Sequence, residues 1–85
     1  MFSVEFSSDA KKFLKKVEKQ VTERIINKIK KLKEDPFPSD VKRVVGKRDK
    51  IFRIRVGNYR IQYSVFYEKT LIFISDIDKR EKAYD

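Results

Sequence analysis

The sequence predicts a two-layer α+β domain: an N-terminal strand, a helical hairpin, then an antiparallel sheet of three to four strands. Three observations point there. Apolar residues alternate at the start of the chain, recur at helical spacing between residues 10 and 32, and alternate again after residue 50 around two tight turns. Eighty-five residues are enough for one domain, 1–85, and leave no room for a second. A chain of this size buries only about 60% of its unfolded surface, so the core must be compact.

The elements follow in order. Phe2, Val4 and Phe6 alternate with Ser3 and Glu5, as in a half-buried strand. Ser7, Ser8 or Asp9 then offers an oxygen to the unpaired amide hydrogens of a helix start. Ala10, Phe13, Leu14 and Val17 form one apolar stripe, backed by Lys11, Lys12, Lys15, Lys16 and Lys19. Val21, Ile25, Ile26, Ile29 and Leu32 form another. A break between Lys19 and Thr22, with Thr22 as a cap, makes the pair a hairpin; one continuous helix is the rival reading. Pro36 has no amide hydrogen and disfavours helix at Asp35, so the segment ends there.

Residues 42–50 are basic, with room for a short strand. In IFRIRVGNYRIQY, residues 51–63, Gly57-Asn58 reads as a two-residue hairpin turn. That turn pairs Val56 with Tyr59, Ile54 with Ile61 and Phe52 with Tyr63 on a core face. Arg55 then meets Arg60, and Arg53 meets Gln62, on the other. A second turn at Glu68-Lys69 pairs Tyr63 with Ile74, Val65 with Ile72, Gln62 with Ser75, Ser64 with Phe73 and Phe66 with Leu71. The last strand is read as residues 70–77. The face opposite the core is thereby divided into a polar, arginine-bearing end and an apolar end of Phe66, Leu71 and Phe73. An apolar patch of that kind marks an interface unless the N-terminal strand or residues 42–50 cover it.

Composition narrows the chemistry. There is no Cys and no His, which removes thiolate nucleophiles, disulfides and the commonest general base and metal ligand. No metal and no cofactor is expected. The start, MFSVEFSSD, lacks the pattern of a signal peptide, and no apolar run is long enough to span a bilayer, so a cytoplasmic protein is expected.

The net charge is +9, unevenly distributed. Residues 42–60 carry eight basic residues against one acidic residue, whereas residues 61–85 carry four against five. A focused basic region captures polyanions. Nucleic acid is the leading partner class; an acidic protein segment or an anionic membrane surface is the alternative. Arg43, Lys47, Arg48 and Lys50 are the candidate RNA-binding residues in this block. The lysines of the helices read more simply as a solvated face.

Arg53, Arg55 and Arg60 are different. Like charges directly opposite each other cost a few tenths to about 1 kcal/mol. A one-residue slip would bury the arginines, so register cannot relieve the repulsion. No Asp or Glu lies in residues 50–67, and the cluster is expected to be an unpaired anion site.

Several motifs together carry a family resemblance. They are the S-x-x-A-x-K-x-L helix start at Ser7, R-I-R at residues 53–55, the turn-flanked G-N-Y-R-I-Q-Y from Gly57, and the late R-E-x-x-Y from Arg80. Over nearly its whole length the chain resembles the RelE branch of the RelE/ParE toxin superfamily. The resemblance implies the toxin of a type II toxin–antitoxin system, neutralised by a RelB-like antitoxin. It implies a metal-independent, ribosome-dependent endoribonuclease that cuts mRNA in the decoding site and inhibits translation. The attacking group is the ribose 2′-hydroxyl. By that resemblance Arg53, Arg55, Arg60, Arg80 and Tyr84 are the candidate catalytic residues, with Arg60 and Arg80 clamping the phosphate and Tyr84 stacking on a base or moving a proton. The family commonly has lysine at the first two positions; arginine, with a pKa above about 12, is no base at neutral pH. The alternatives are a ParE-like DNA gyrase inhibitor and a non-catalytic nucleic-acid-binding module.

Overall fold

The computed structural model describes residues 1–44 and 50–79. Its elements are β1 (Ser3–Phe6), α1 (Ser8–Lys16), α2 (Lys19–Glu34), β2 (Lys42–Arg43), β3 (Phe52–Val56), β4 (Tyr59–Phe66) and β5 (Leu71–Lys79). The strands form one sheet in the order β1-β5-β4-β3-β2. The expected α+β order is present, with five strands rather than three or four. The additional neighbour is β1, which runs parallel to β5 at the edge, pairing Val4 with Ile72 and Phe6 with Ile74. Parallel neighbours need a long connection, and here almost the whole domain intervenes.

Ser7 is the helix cap: its Oγ accepts from the Ala10 amide at 3.1 Å. The helices break one turn earlier than Thr22, at the extended Val17 and Glu18. Thr22 instead closes the preceding helix, its hydroxyl donating to the Leu14 carbonyl at 3.1 Å. Both helices turn their apolar stripes to the same face of the sheet. Ala10, Ile25, Ile29 and Leu32 pack there against Ile54, Ile61, Tyr63, Ile72, Ile74 and Ile77.

The β3–β4 hairpin has the expected register, Val56 opposite Tyr59 through Phe52 opposite Tyr63. Of the two turn residues, only Gly57 has positive φ, +59°, as in a type II′ turn. A side chain there would also meet the Arg24 guanidinium, whose Nη2 lies 2.6 Å from where a Cβ would sit.

The β4–β5 hairpin departs from the expected register partway along. Phe66–Leu71 through Tyr63–Ile74 pair as expected, but Gln62 faces Asp76, not Ser75, because a bulge intervenes. The strand also runs two residues further than expected, to Lys79. Straight alternation beyond Ile74 would turn Ile77 outward and put Asp76 and Asp78 in the core. The additional residue, Ser75, reverses that: Ile77 becomes buried and both aspartates face the other way. The Ser75 Oγ donates to the Gln62 carbonyl at 3.2 Å, and the Ser7 hydroxyl donates to the Ser75 carbonyl at 2.9 Å. The cap of α1 thereby also pins the bulge.

Candidate phosphate-binding face

With the helices on one side, no element among the described residues covers the other face of the sheet, here called the open face, and alternation along each strand decides what it presents. One cross-strand row is Arg55, Arg60 and Asp78; the next is Lys42, Arg53, Gln62 and Asp76. Beyond them Ser64, Phe73 and Glu5 align, then Phe66, Leu71 and Ser3. The face therefore passes from charged to apolar along the strands.

At the charged end, Lys42, Arg53, Arg55 and Asp40 line a hollow of about 250 Å³. Asp40 is also bound by Lys28, whose Nζ donates to Oδ2 at 3.1 Å. Lys42 was not among the sequence candidates, and it lies opposite Arg53. Arg43 was, but it pairs with Phe52, and alternation turns it away from the arginine row. Odd-or-even position along β2, once its register on β3 is known, separates the two.

The arginines are together as expected, but the expectation that no carboxylate accompanies them is corrected. Arg60 is held by Asp78 through two hydrogen bonds, Nε to Oδ1 at 3.2 Å and Nη2 to Oδ2 at 2.9 Å. The hairpin itself carries no acid; the bulge in the next strand brings one. The apolar spacing Ile72, Ile74, Ile77 was the available signal, since a three-residue step between core positions requires an additional residue. Burial raises the Asp76 carboxyl above the usual range, and Asp78 and Asp9 add to this against the lowering effects of an Ile77 backbone hydrogen bond and of Arg60.

At the apolar end, a groove of about 540 Å³ is lined by Lys50, Ile51, Ser64, Val65, Phe66, Phe73 and Ser75. Phe66 is 47% exposed. β1 lies beside β5 within the sheet and not across this groove. Lys50, a member of the basic block read from the sequence, is among the groove's lining residues. Lys47, Arg48, Arg80 and Tyr84 lie outside the described residues.

Residue type alone offers Tyr63 as a base, but its position rules that out. It is on the covered face, fully buried, and its hydroxyl donates to the Pro36 carbonyl at 2.6 Å. Burial, reinforced by Asp40 and Asp35, pushes its pKa far up, so it stays a phenol. Tyr59 is half-buried, edge-on to Phe13. The open face of the described residues thus offers arginines, a lysine, hydroxyls and an amide beside the carboxylates Asp76, Asp78 and Glu5: its cations can bind and stabilise an anion.

A profile of the family described as ParE toxin of type II toxin–antitoxin system, parDE, matches residues 2–84. A candidate toxin named RelE1 from Methanocaldococcus jannaschii is 35% identical over 86 residues, covering 98% of this chain and 94% of its own. The fold matches the crystal structure of the archaeal RelE–RelB complex from Pyrococcus horikoshii with a TM-score of 0.82 at 28% identity, over 96% of this chain and 98% of that one. It matches isolated Escherichia coli RelE with the same TM-score, 0.82, at 24% identity, over 99% and 89% of the two chains; this last likeness is one of fold alone.

Proposed function

The chain is a RelE-type member of the ParE toxin family of type II toxin–antitoxin systems, and from that premise we propose that it is a metal-independent endoribonuclease cutting mRNA in the decoding site of the ribosome. The observation that carries the reading is the convergence of Arg53, Arg55, Arg60 and Lys42 on one open sheet face. Its place of action is the cytoplasm, and its partner at rest is a RelB-like antitoxin, as the complex with RelB of its archaeal relative suggests. No helix among the described residues is long and apolar enough to cross a membrane.

The chemistry follows from charge. The ribose 2′-hydroxyl attacks the adjacent phosphorus, the bond to the 5′-oxygen breaks, and the products are a 2′,3′-cyclic phosphate and a 5′-hydroxyl. Negative charge builds on the phosphoryl oxygens during attack. Guanidinium groups already placed on a rigid sheet stabilise that charge more than the ground state, which is what lowers the barrier. Arg53 and Arg55 approach from β3, with Arg60 beside them on β4. Arg80 would complete the clamp and Tyr84 would take or return a proton. Lys42, Lys47, Arg48 and Lys50 would bind flanking phosphates.

Tyr63 is buried on the covered face and Asp78 is already held by Arg60, so this reading assigns much of the acceleration to geometry. Holding a nucleophile in line with its target contributes about 7–11 kcal/mol, and the ribosome would supply mRNA in that posture. Purified protein should therefore cut mRNA on programmed ribosomes and leave the same RNA in solution nearly intact; equal cutting of both would reject the ribosome-dependent reading. The matching profile carries the ParE name, so DNA gyrase inhibition is the second reading. A supercoiling assay on the same preparation separates the two.

A further inference from the structure

Arg60 has a feature that its role as a phosphate clamp does not require. It lies directly opposite Arg55 in the sheet, and its side chain is only 16% exposed. A cation so placed is repelled by its neighbour and deprived of water, and both effects favour a carboxylate partner. Asp78 meets that need in a specific way. It engages Nε and Nη2 together, so the planes of carboxylate and guanidinium are held in common. One hydrogen bond would leave the guanidinium able to rotate about it; two do not.

The arrangement depends on a chain of contacts. Ser7 caps α1 and bonds the Ser75 carbonyl; Ser75 bonds the Gln62 carbonyl; the bulge between them brings Asp78 opposite Arg60. We propose that Asp78 is a positioning residue for phosphate recognition: it fixes the Arg60 guanidinium on the open face and acts on RNA only through Arg60. The proposal rests on the endonuclease reading for its kinetic consequence. A fixed guanidinium spares the reorganisation that a mobile one must undergo during the reaction. The carboxylate also lowers the net positive charge, so its benefit belongs to the rate and not to affinity. The opposite reading, Asp78 as an anion that blocks Arg60, predicts the opposite sign.

Cleavage of mRNA on programmed ribosomes is measured for wild type, Asp78→Asn, Asp78→Glu, Arg60→Ala and the Arg60→Ala/Asp78→Asn double variant. Asp78→Asn is expected to lower kcat by roughly 10- to 100-fold with KM unchanged or lower. Asp78→Glu should recover part of the loss, and the double variant should be no slower than Arg60→Ala. A kcat that rises or stays the same in Asp78→Asn, or losses that multiply in the double variant, would overturn the proposal.

A second readout does not depend on cleavage. Side-chain ¹⁵N NMR follows the Arg60 guanidinium during titration with a short RNA carrying a 2′-deoxy residue at the scissile position. The wild-type signal should shift on binding, and the response should be diminished in Asp78→Asn. If wild type cuts nothing on ribosomes yet shows this pattern, the endonuclease reading fails and the positioning role stands. If Arg60 does not respond in wild type, or responds equally in both, the positioning role fails whatever the cleavage result.

Discussion

The two faces of the sheet are built from alternate residues of the same strands, yet different forces organise them. The fully buried part of the covered face is mostly isoleucine: Ile54, Ile61, Ile72, Ile74 and Ile77, with Tyr63 among them, sealed by Ile25, Ile29 and Leu32. Burying one such side chain contributes about 1.5–3 kcal/mol. The open face sets Arg55 against Arg60, at a cost below about 1 kcal/mol. The covered face therefore sets the register, and the open face carries a repulsive arrangement that it would not choose by itself. A stable sheet permits charges to be gathered for a ligand because their mutual repulsion is small beside what lies underneath.

The largest expected effect is on the covered face. Ile61→Ala should cost about 2–5 kcal/mol, and each kcal/mol lowers Tm by about 4–8 °C in a domain of this size. Thermal unfolding checks it; a shift of only a degree would mean that the covered face does not dominate stability. Tyr63→Phe leaves the Pro36 carbonyl without its donor in a buried site and should cost about 1–3 kcal/mol, read by urea denaturation. The result should be lost stability with unchanged cleavage, since Tyr63 belongs to the covered face only.

Ser7→Ala sharpens the comparison, because Ser7 touches both sides of it. Loss of the helix cap costs about 0.5–2 kcal/mol. Because the same hydroxyl pins the bulge that aligns Asp78 with Arg60, cleavage should also fall, whereas Tyr63→Phe should spare it. Equal activity in the two variants would separate the bulge from the site. The smallest effect is at Asp76, whose carboxyl is raised in the fold. A raised acid binds more protons folded than unfolded, so its contribution lowers stability as pH rises from the ordinary aspartate range through the folded pKa. Asp76→Asn should therefore stabilise at neutral pH, by less than about 1 kcal/mol after solvent screening, and the gain should vanish below the ordinary aspartate range. Thermal melts across pH test the sign.

The sequence made most of the covered face legible and much of the open one. The β3–β4 register followed from Gly57-Asn58 and from alternation, and it placed Arg53, Arg55 and Arg60 together correctly. Pro36 ended α2 as expected, and Ser7 was among the foreseen caps. What alternation could not show was the partner strand. Ending β5 at Ile77 left Asp78 outside the sheet, and an unbroken register hid the bulge at Ser75. β1 as a parallel edge neighbour was equally hidden, because pairing between the two ends of a chain leaves no turn to read. Lys42 was overlooked for Arg43 because the register of a two-residue strand is set by its neighbour. Long-range pairing, more than local propensity, decided which charges share a face.

The central claim is that guanidinium groups on the open face, and not positive charge in general, perform the reaction. It is tested most directly by comparing Arg53→Ala/Arg55→Ala with Lys12→Ala/Lys16→Ala on programmed ribosomes. Each removes two positive charges, one pair from the open face and one from the exposed side of α1. The open-face variant should cut mRNA at least ~100-fold more slowly than wild type, with an unchanged Tm, and the helix variant should lose only a few-fold through weaker long-range attraction. Equal losses in the two variants, or full cleavage by the open-face variant, would contradict it.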